Sequence, residues 1–420
     1  MRTTLTALLS VAAVAWAIVA SMGAAENGRG SDIVRQWVVC QYVNADRNPY
    51  PLARDILTAK YGAGNPGRKY IFAIPQTVAA ELRDDILPEI GSPEATYPPP
   101  ALGLLAPTVG LLPNPPTVLW VWFAVNVAAA VWVAHLLTRL LPTPPGGGTT
   151  PDNRRLVFAA LILFPASYST LVTGQFSLLV LGLLLAASDP SRAWLPRGLA
   201  LGVALLKPSV ALPFFFLPLV RREWRVALVA VAVQAVAAGY VAVRTGGTID
   251  LFRDWLAVAG FFLNGMYTVQ EWLGALDKAA PWLVPFVSPG ILVLCAVTMA
   301  VGRNLPPARL FALAAVTAVF WTYHGPYDFV MLLPVLLPLA GWADHPPGGR
   351  WSAVGLVLAA IIAVAQIPAI MYDEQESSLR AIRWVARCAI LGLFAREYAC
   401  AWRAERVNAP DAPSPNAEHS

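Results

Sequence analysis

Three ionisable side chains stand where a long apolar stretch gives way to a short polar one: Asp32 in "GRGSDIVRQW", Lys207 in "LALGVALLKPSVAL" and His324 in "WTYHGPYD". A positioned carboxylate can take the proton of a hydroxyl. A lysine followed by Pro208, which stops the helix, can hold its point charge at a set place against an anion. An imidazole can donate a hydrogen bond or share a proton near neutral pH. Asp46, Asp55, Tyr97, Gln175, Asn264, Gln270, Glu271, Tyr327 and Asp328 stand in comparable surroundings. Each has an ordinary reading as well. Asp32 can be a solvated helix end, Asp46 a turn residue, Lys207 a snorkelling side chain, His324 a helix-end cap, Gln175 a loop cap and Tyr97 an interfacial anchor. What separates the two sets of readings is whether the chain gathers these groups in one place.

The elements that must do the gathering are apolar. Of 420 residues, 57% are hydrophobic and 13% charged, against about 25% charged in soluble domains. The apolar residues come in runs about as long as a ~30 Å hydrocarbon core requires. The chain therefore reads as an all-α polytopic membrane protein, with predicted helices over 5–23, 117–140, 156–173, 175–188, 195–207, 208–221, 226–243, 281–301, 306–322, 327–343, 351–371 and 381–398. Arg139, Arg154, Arg155, Arg192, Arg197, Arg221, Arg222, Arg225, Arg303, Arg309, Arg350 and the tail arginines fall on one side of this arrangement. The short loops "VTGQ", "TYHGPYD" and "YDEQESS" on the other side hold no Lys or Arg. That asymmetry puts the basic groups in the cytoplasm and the candidate groups outside. The pair 195–207 and 208–221 is too short to span fully, so its turn at Lys207-Pro208 is expected below the outer surface. Residues 24–116 and 244–280 form two extracytoplasmic loops with helices lying in the interface. Residues 1–400 read as one integral membrane domain, and 401–420 as a disordered cytoplasmic tail.

The net charge of +5 is spread in short groups, which the positive-inside bias accounts for and which gives no reason to invoke nucleic acid. Cys40, Cys295, Cys388 and Cys400 show no metal-binding or disulfide spacing. The start, "MRTTLTALLSVAAVAWAIVASMGAAENG", fits both a signal peptide and an uncleaved first helix.

"SDIVRQWVVCQYVNADRNPYP" resembles the opening of glycosyltransferases with the GT-C membrane fold that use polyprenol-phosphate sugars: an acidic residue after the first helix, a short helix, then "NPY". "YPPP" (97–100) resembles the aromatic-Pro-Pro motif that ends their first loop. "TGQFSLLVLGLLL" (173–185), "LALGVALLKPSVAL" (199–212) and "YHGPYDFVMLLPVL" (323–336) follow in the order of glycosyltransferase family 87, the bacterial mannosyltransferase-like branch. The resemblance covers roughly residues 5–340. It takes the first helix as an uncleaved anchor and implies the GT-C fold with about 12 spans and a long first extracytoplasmic loop. The implied reaction moves a hexose, mannose by the branch, from a polyprenyl phosphate to a hydroxyl of a glycolipid or glycan. It takes place on the extracytoplasmic face of the plasma (inner) membrane and inverts configuration in one displacement. The resemblance makes Asp32 the general base, with Asp46 and Asp55 as fallbacks. His324 is a second catalytic candidate, and Asp328 in the "YD" position is expected to orient His324 or to bind an acceptor hydroxyl. Lys207 is assigned to the lipid phosphate, and Tyr97, Gln175 and Tyr327 to sugar or phosphate. A divalent cation remains possible, and the residues offer no tight carboxylate cluster for one. The segment between Tyr50 and Tyr97 is longer than the resemblance leads one to expect.

A transporter or flippase for a lipid-linked sugar would also place ionisable groups in a membrane, but near its midplane between two related halves. An O-antigen polymerase or ligase would carry its large outer loop late in the chain. The early position of the long loop and the absence of repeated halves favour the transferase.

Overall fold

The computed structural model describes residues 32–61, 96–140, 165–247, 249–263, 281–305, 307–322 and 326–335, with positions 15 and 161 besides. The described residues form helices and turns, with no strand among them. Before the first long helix come α1 (Asp32–Asn44), α2 (Tyr50–Tyr61), α3 (Pro99–Leu105) and a 3-10 turn at Val109–Leu111. The bundle follows as α4 (Pro115–Leu140), α5 (Pro165–Thr173), α6 (Ser177–Ser188), α7 (Trp194–Ala204), α8 (Pro208–Val220) and α9 (Trp224–Thr245). Next come α10 (Ile249–Leu263), α11 (Val284–Val301) after a 3-10 turn, α12 (Pro307–Phe320) and a final 3-10 segment, Pro326–Leu332. Proline opens α3, α4, α5, α8 and α12, where its fixed φ suits the first turn and its missing N–H costs nothing. Gly246, at φ +72°, closes α9 in the left-handed conformation open to glycine.

Two described helices, Pro115–Leu137 and Trp224–Thr245, are long and apolar enough to cross a membrane. Shorter apolar helices, Ser177–Ser188, Pro208–Val220, Phe286–Val301 and Pro307–Phe320, accompany them. α9 and α11 turn Leu228, Val236, Phe286 and Val293 outward. Such apolar outer faces suit lipid and not water, and the chain is a membrane protein. The short pair expected around Lys207 is present as α7 and α8. Residues 5–23 apart from position 15, and 351–371, 381–398 and the tail 401–420, lie outside the described residues, as does most of the long segment between α2 and α3. One expectation is corrected: the stretch 327–343 does not begin as an α-helix but as the 3-10 segment Pro326–Leu332. The Thr170 hydroxyl, which donates to the Ala166 carbonyl at 2.8 Å, also lies 3.4 Å from the Tyr327 carbonyl, so this segment packs against α5. The Pro-rich end of the first loop also differs. α3 is short and its Pro99, Pro100, Ala101 and Leu102 are buried in protein, because it packs on α9.

Glycines set how closely these helices meet. A Cβ on Gly198 would come within 2.6 Å of Val229 Cβ, and one on Gly202 within 2.7 Å of Val233 Cβ, both on α9. This small-xxx-small pair lets α7 and α9 lie backbone to backbone, and Gln234 Nε2 donates to the Gly202 carbonyl at 2.7 Å. Gly103 in α3 faces Ala237 so closely that a Cβ would overlap the Ala237 carbonyl. Gly103→Ala is expected to push α3 off α9 and lower stability by about 1–3 kcal/mol through overpacking. Gly239→Ala, where a Cβ meets nothing within 4 Å, should be neutral or slightly stabilising through better helix propensity. Thermal unfolding of both variants in nanodiscs checks the contrast.

Candidate functional site

The polar groups that the sequence scatters over some 300 positions meet at one end of the bundle. α5 ends there at Thr173, and the turn "VTGQ" leads into α6. Gly174 takes φ +67°, which a side chain would strain, and the Gln175 N–H then returns to the Thr170 carbonyl at 3.0 Å. Trp122 Nε1 on α4 reaches the Gln175 carbonyl at 3.4 Å. The Phe176 ring meets Tyr97 edge-on at 5.4 Å and Trp122 at 4.6 Å. α7 ends at Ala204, and Lys207 then precedes the prolines and apolar residues of α8.

Lys207 spends its hydrogen bonds on the protein. Its Nζ donates to Asp328 Oδ1 at 2.6 Å, to Gln175 Oε1 at 3.0 Å and to Ser177 Oγ at 3.1 Å. An ammonium has three donors, and these contacts match that number. The Ser177 hydroxyl in turn donates to Asp328 Oδ1 at 2.6 Å, and the Tyr327 ring lies 4.5 Å from Nζ. Side-chain exposure is 8% for Lys207 and 3% for Asp328. Each charge is thus matched where water is scarce.

Gln175 joins this pair to Asp32. The Tyr97 hydroxyl donates to Gln175 Oε1 at 3.2 Å, and Gln175 Nε2 donates to Asp32 Oδ2. Asp32, in the first turn of α1, also faces Arg35 Nη1 at 3.5 Å. Its side chain is 24% exposed, so unlike Asp328 it is open to a reactant. Tyr97 is held from behind. The Asn48 side chain accepts the Tyr50 N–H at 3.1 Å, and the Tyr50 hydroxyl donates to the Tyr97 carbonyl at 2.7 Å. Burial, followed by the influence of Cys40, pushes the Tyr50 phenol well above its ordinary pKa, so it stays a neutral donor. "NPY" and "YPPP" are therefore two halves of one contact.

Asp32, Tyr97, Gln175, Lys207, Tyr327 and Asp328 are brought together, and His324, Asn264, Gln270 and Glu271 lie outside the described residues. Asp46 and Asp55 are placed elsewhere. Asp46 has φ 61° in the turn after α1 and pairs with Arg244 at 2.7 Å, and Asp55 pairs with Arg54 at the surface. Asp328 is bound to Lys207 and Ser177. Ser177 and Arg35 are not singled out in the sequence, and Tyr50 enters there only through "NPY". Arg35 had a readable signal, a cation one turn after an acid, whereas Ser177 had none. Among the described residues no three His, Cys, Asp or Glu side chains group as metal ligands. At the opposite end, Arg197 donates to the Ala187 carbonyl at 2.8 Å and pairs with Glu223, so the basic groups there lie a helix length from the site.

Removing one partner of the buried pair leaves the other charge uncompensated, which costs about 3–5 kcal/mol. Lys207→Met and Asp328→Leu are each expected to destabilise by that order, and the double variant by clearly less than their sum. Thermal unfolding of the three variants in nanodiscs measures the coupling.

The model of glycosyltransferase family 87 matches residues 95–322, a span holding Tyr97, Gln175 and Lys207 but not Asp32, Tyr327 or Asp328. A polyprenol-phosphate-mannose-dependent alpha-(1-2)-phosphatidylinositol mannoside mannosyltransferase of Mycobacterium tuberculosis H37Rv is 30% identical over 290 residues, 59% of this chain and 62% of that protein. An alpha-(1->3)-arabinofuranosyltransferase of Corynebacterium glutamicum is 33% identical over 135 residues, 31% of each chain. The chain spans less than two thirds of the length of these curated relatives. No solved structure matches it.

Proposed function

From the premise that the chain belongs to glycosyltransferase family 87 and is a glycosyltransferase, we propose that it transfers mannose from a polyprenyl phosphate to a hydroxyl of a glycolipid, at the extracytoplasmic surface. The observation that carries this reading is the convergence of Asp32, Tyr97, Gln175, Lys207 and Asp328 by direct hydrogen bonds at one end of the bundle. The relative that depends on polyprenol-phosphate-mannose supports the donor, and its phosphatidylinositol mannoside supports the acceptor class.

Asp32 accepts the proton of the acceptor hydroxyl as its oxygen bonds to the anomeric carbon. The bond from that carbon to the phosphate oxygen breaks, polyprenyl phosphate leaves as an anion, and configuration inverts. No acid is needed for this leaving group. What it needs is donors where its charge grows. His324 and the Tyr327 hydroxyl are assigned to the phosphate. Lys207 faces it as one half of an ion pair, so its part is chiefly to hold Gln175, Tyr327 and Asp328 in register. Tyr97 closes the sugar side. A transporter would carry its polar groups midway between two related halves, and here they lie at helix ends.

Purified protein in nanodiscs, given radiolabelled polyprenyl-phosphate mannose and phosphatidylinositol mannoside, is expected to yield labelled glycolipid. Asp32→Asn should cut the rate roughly 100- to 10,000-fold, the range of general-base catalysis. Equal rates for the two proteins would remove Asp32 as base. Transfer from polyprenyl-phosphate arabinose in place of mannose would reassign the donor sugar.

A further inference from the structure

Resting on the reading of Asp32 as base, we propose that Gln175 is the positioning residue of that base, its amide aimed by Lys207 and Tyr97. Two donors converge on one end of the Gln175 amide: the Lys207 ammonium at 3.0 Å and the Tyr97 hydroxyl at 3.2 Å. An ammonium cannot accept a hydrogen bond. Turning the amide over would set its NH2 against the NH3+ group, so the carbonyl faces Lys207 and Nε2 is left to face Asp32 Oδ2. Orientation of the amide is thus dictated by its chemistry and is not a free choice.

The rest of Gln175 is equally constrained. It is 4% exposed, and its backbone is held on both sides by Thr170 and Trp122. A buried amide with both ends engaged has little left to offer a sugar or a phosphate. Its effect on the reaction passes through Asp32. The Lys207–Asp328 pair makes this possible: Asp328 and Ser177 fix the ammonium, the ammonium fixes the amide, and the amide sets one oxygen of the base. Among the described residues, the charged and titratable groups toward Asp32 include Arg35 on its own helix, Tyr97 before α3, Lys207 before α8 and, behind Lys207, Asp328.

Gln175→Glu tests this directly. It keeps an oxygen for Lys207 and Tyr97 but replaces the donor to Asp32 with a second carboxylate oxygen. Losing a donor to the charged form, and gaining a like charge, make the base harder to ionise. The acid limb of the pH profile of kcat should therefore move to higher pH. kcat at neutral pH should fall roughly 10- to 100-fold, the cost of a misplaced reacting group, with KM for polyprenyl-phosphate mannose within about twofold of wild type. Gln175→Met, which removes the donor without adding charge, should shift the same limb in the same direction by less. A raised KM with unchanged kcat would make Gln175 a donor-binding residue. A lower kcat with an unmoved acid limb in both variants would make it structural. Either result overturns the proposal. Asp32→Asn measured alongside separates the two levels. If it is as active as wild type, the base reading falls. If it is inactive while Gln175→Glu behaves as wild type, only the role of Gln175 falls.

Discussion

An ammonium and a carboxylate 2.6 Å apart, both nearly sealed from solvent, govern one end of the helix bundle. Removing each ion from water costs several kcal/mol even after relaxation, to about the extent that only a well-bonded pair recovers it. Lys207 and Asp328 meet that demand by adding Ser177 and Gln175 to the pair. The demand is geometric as well as energetic. It requires the α5–α6 turn, the α7–α8 turn and the final 3-10 segment to arrive together, since each contributes a group to the same ammonium.

The packing further down the bundle serves this meeting. Gly198 and Gly202 let α7 run close along α9, so α7 delivers Lys207 at a set depth. Gly103 brings α3 against the same helix, which places Tyr97 over Gln175. Tyr50 and Asn48 then tie the start of the first loop to its end. Each contact is modest alone. Together they explain why short helices, too short to span a ~30 Å core individually, still hold a rigid platform.

On that platform the two carboxylates have opposite circumstances. Asp328 is bonded to Lys207 and Ser177 and is nearly sealed from solvent. Asp32 meets the Gln175 amide and Arg35 and keeps an exposed edge. For a transfer in which one base accepts one proton and the leaving group departs as an anion, a single accessible carboxylate is enough. The fallbacks Asp46 and Asp55 pair with Arg244 and Arg54 and lie outside the contacts that join Asp32 to Gln175 and Lys207.

The class of molecule and the positions of the described apolar helices were legible in the sequence. These follow from composition and from run length, both local properties of the chain. It also pointed to Asp32, Tyr97, Gln175, Lys207 and Asp328, because each interrupts an apolar context. It did not tell which of them touch. The pairing of Lys207 with Asp328 joins residues 121 positions apart, and that of Gln175 with Asp32 joins residues 143 apart. Ser177 carried no signal of its own, since a serine at a helix start is ordinary, and Tyr50 appeared only as part of "NPY". Only the fold shows that Lys207 is bonded to Asp328, Gln175 and Ser177. The reason is that a charge in a dry setting takes the nearest complete set of partners, and only the folded chain determines what is near.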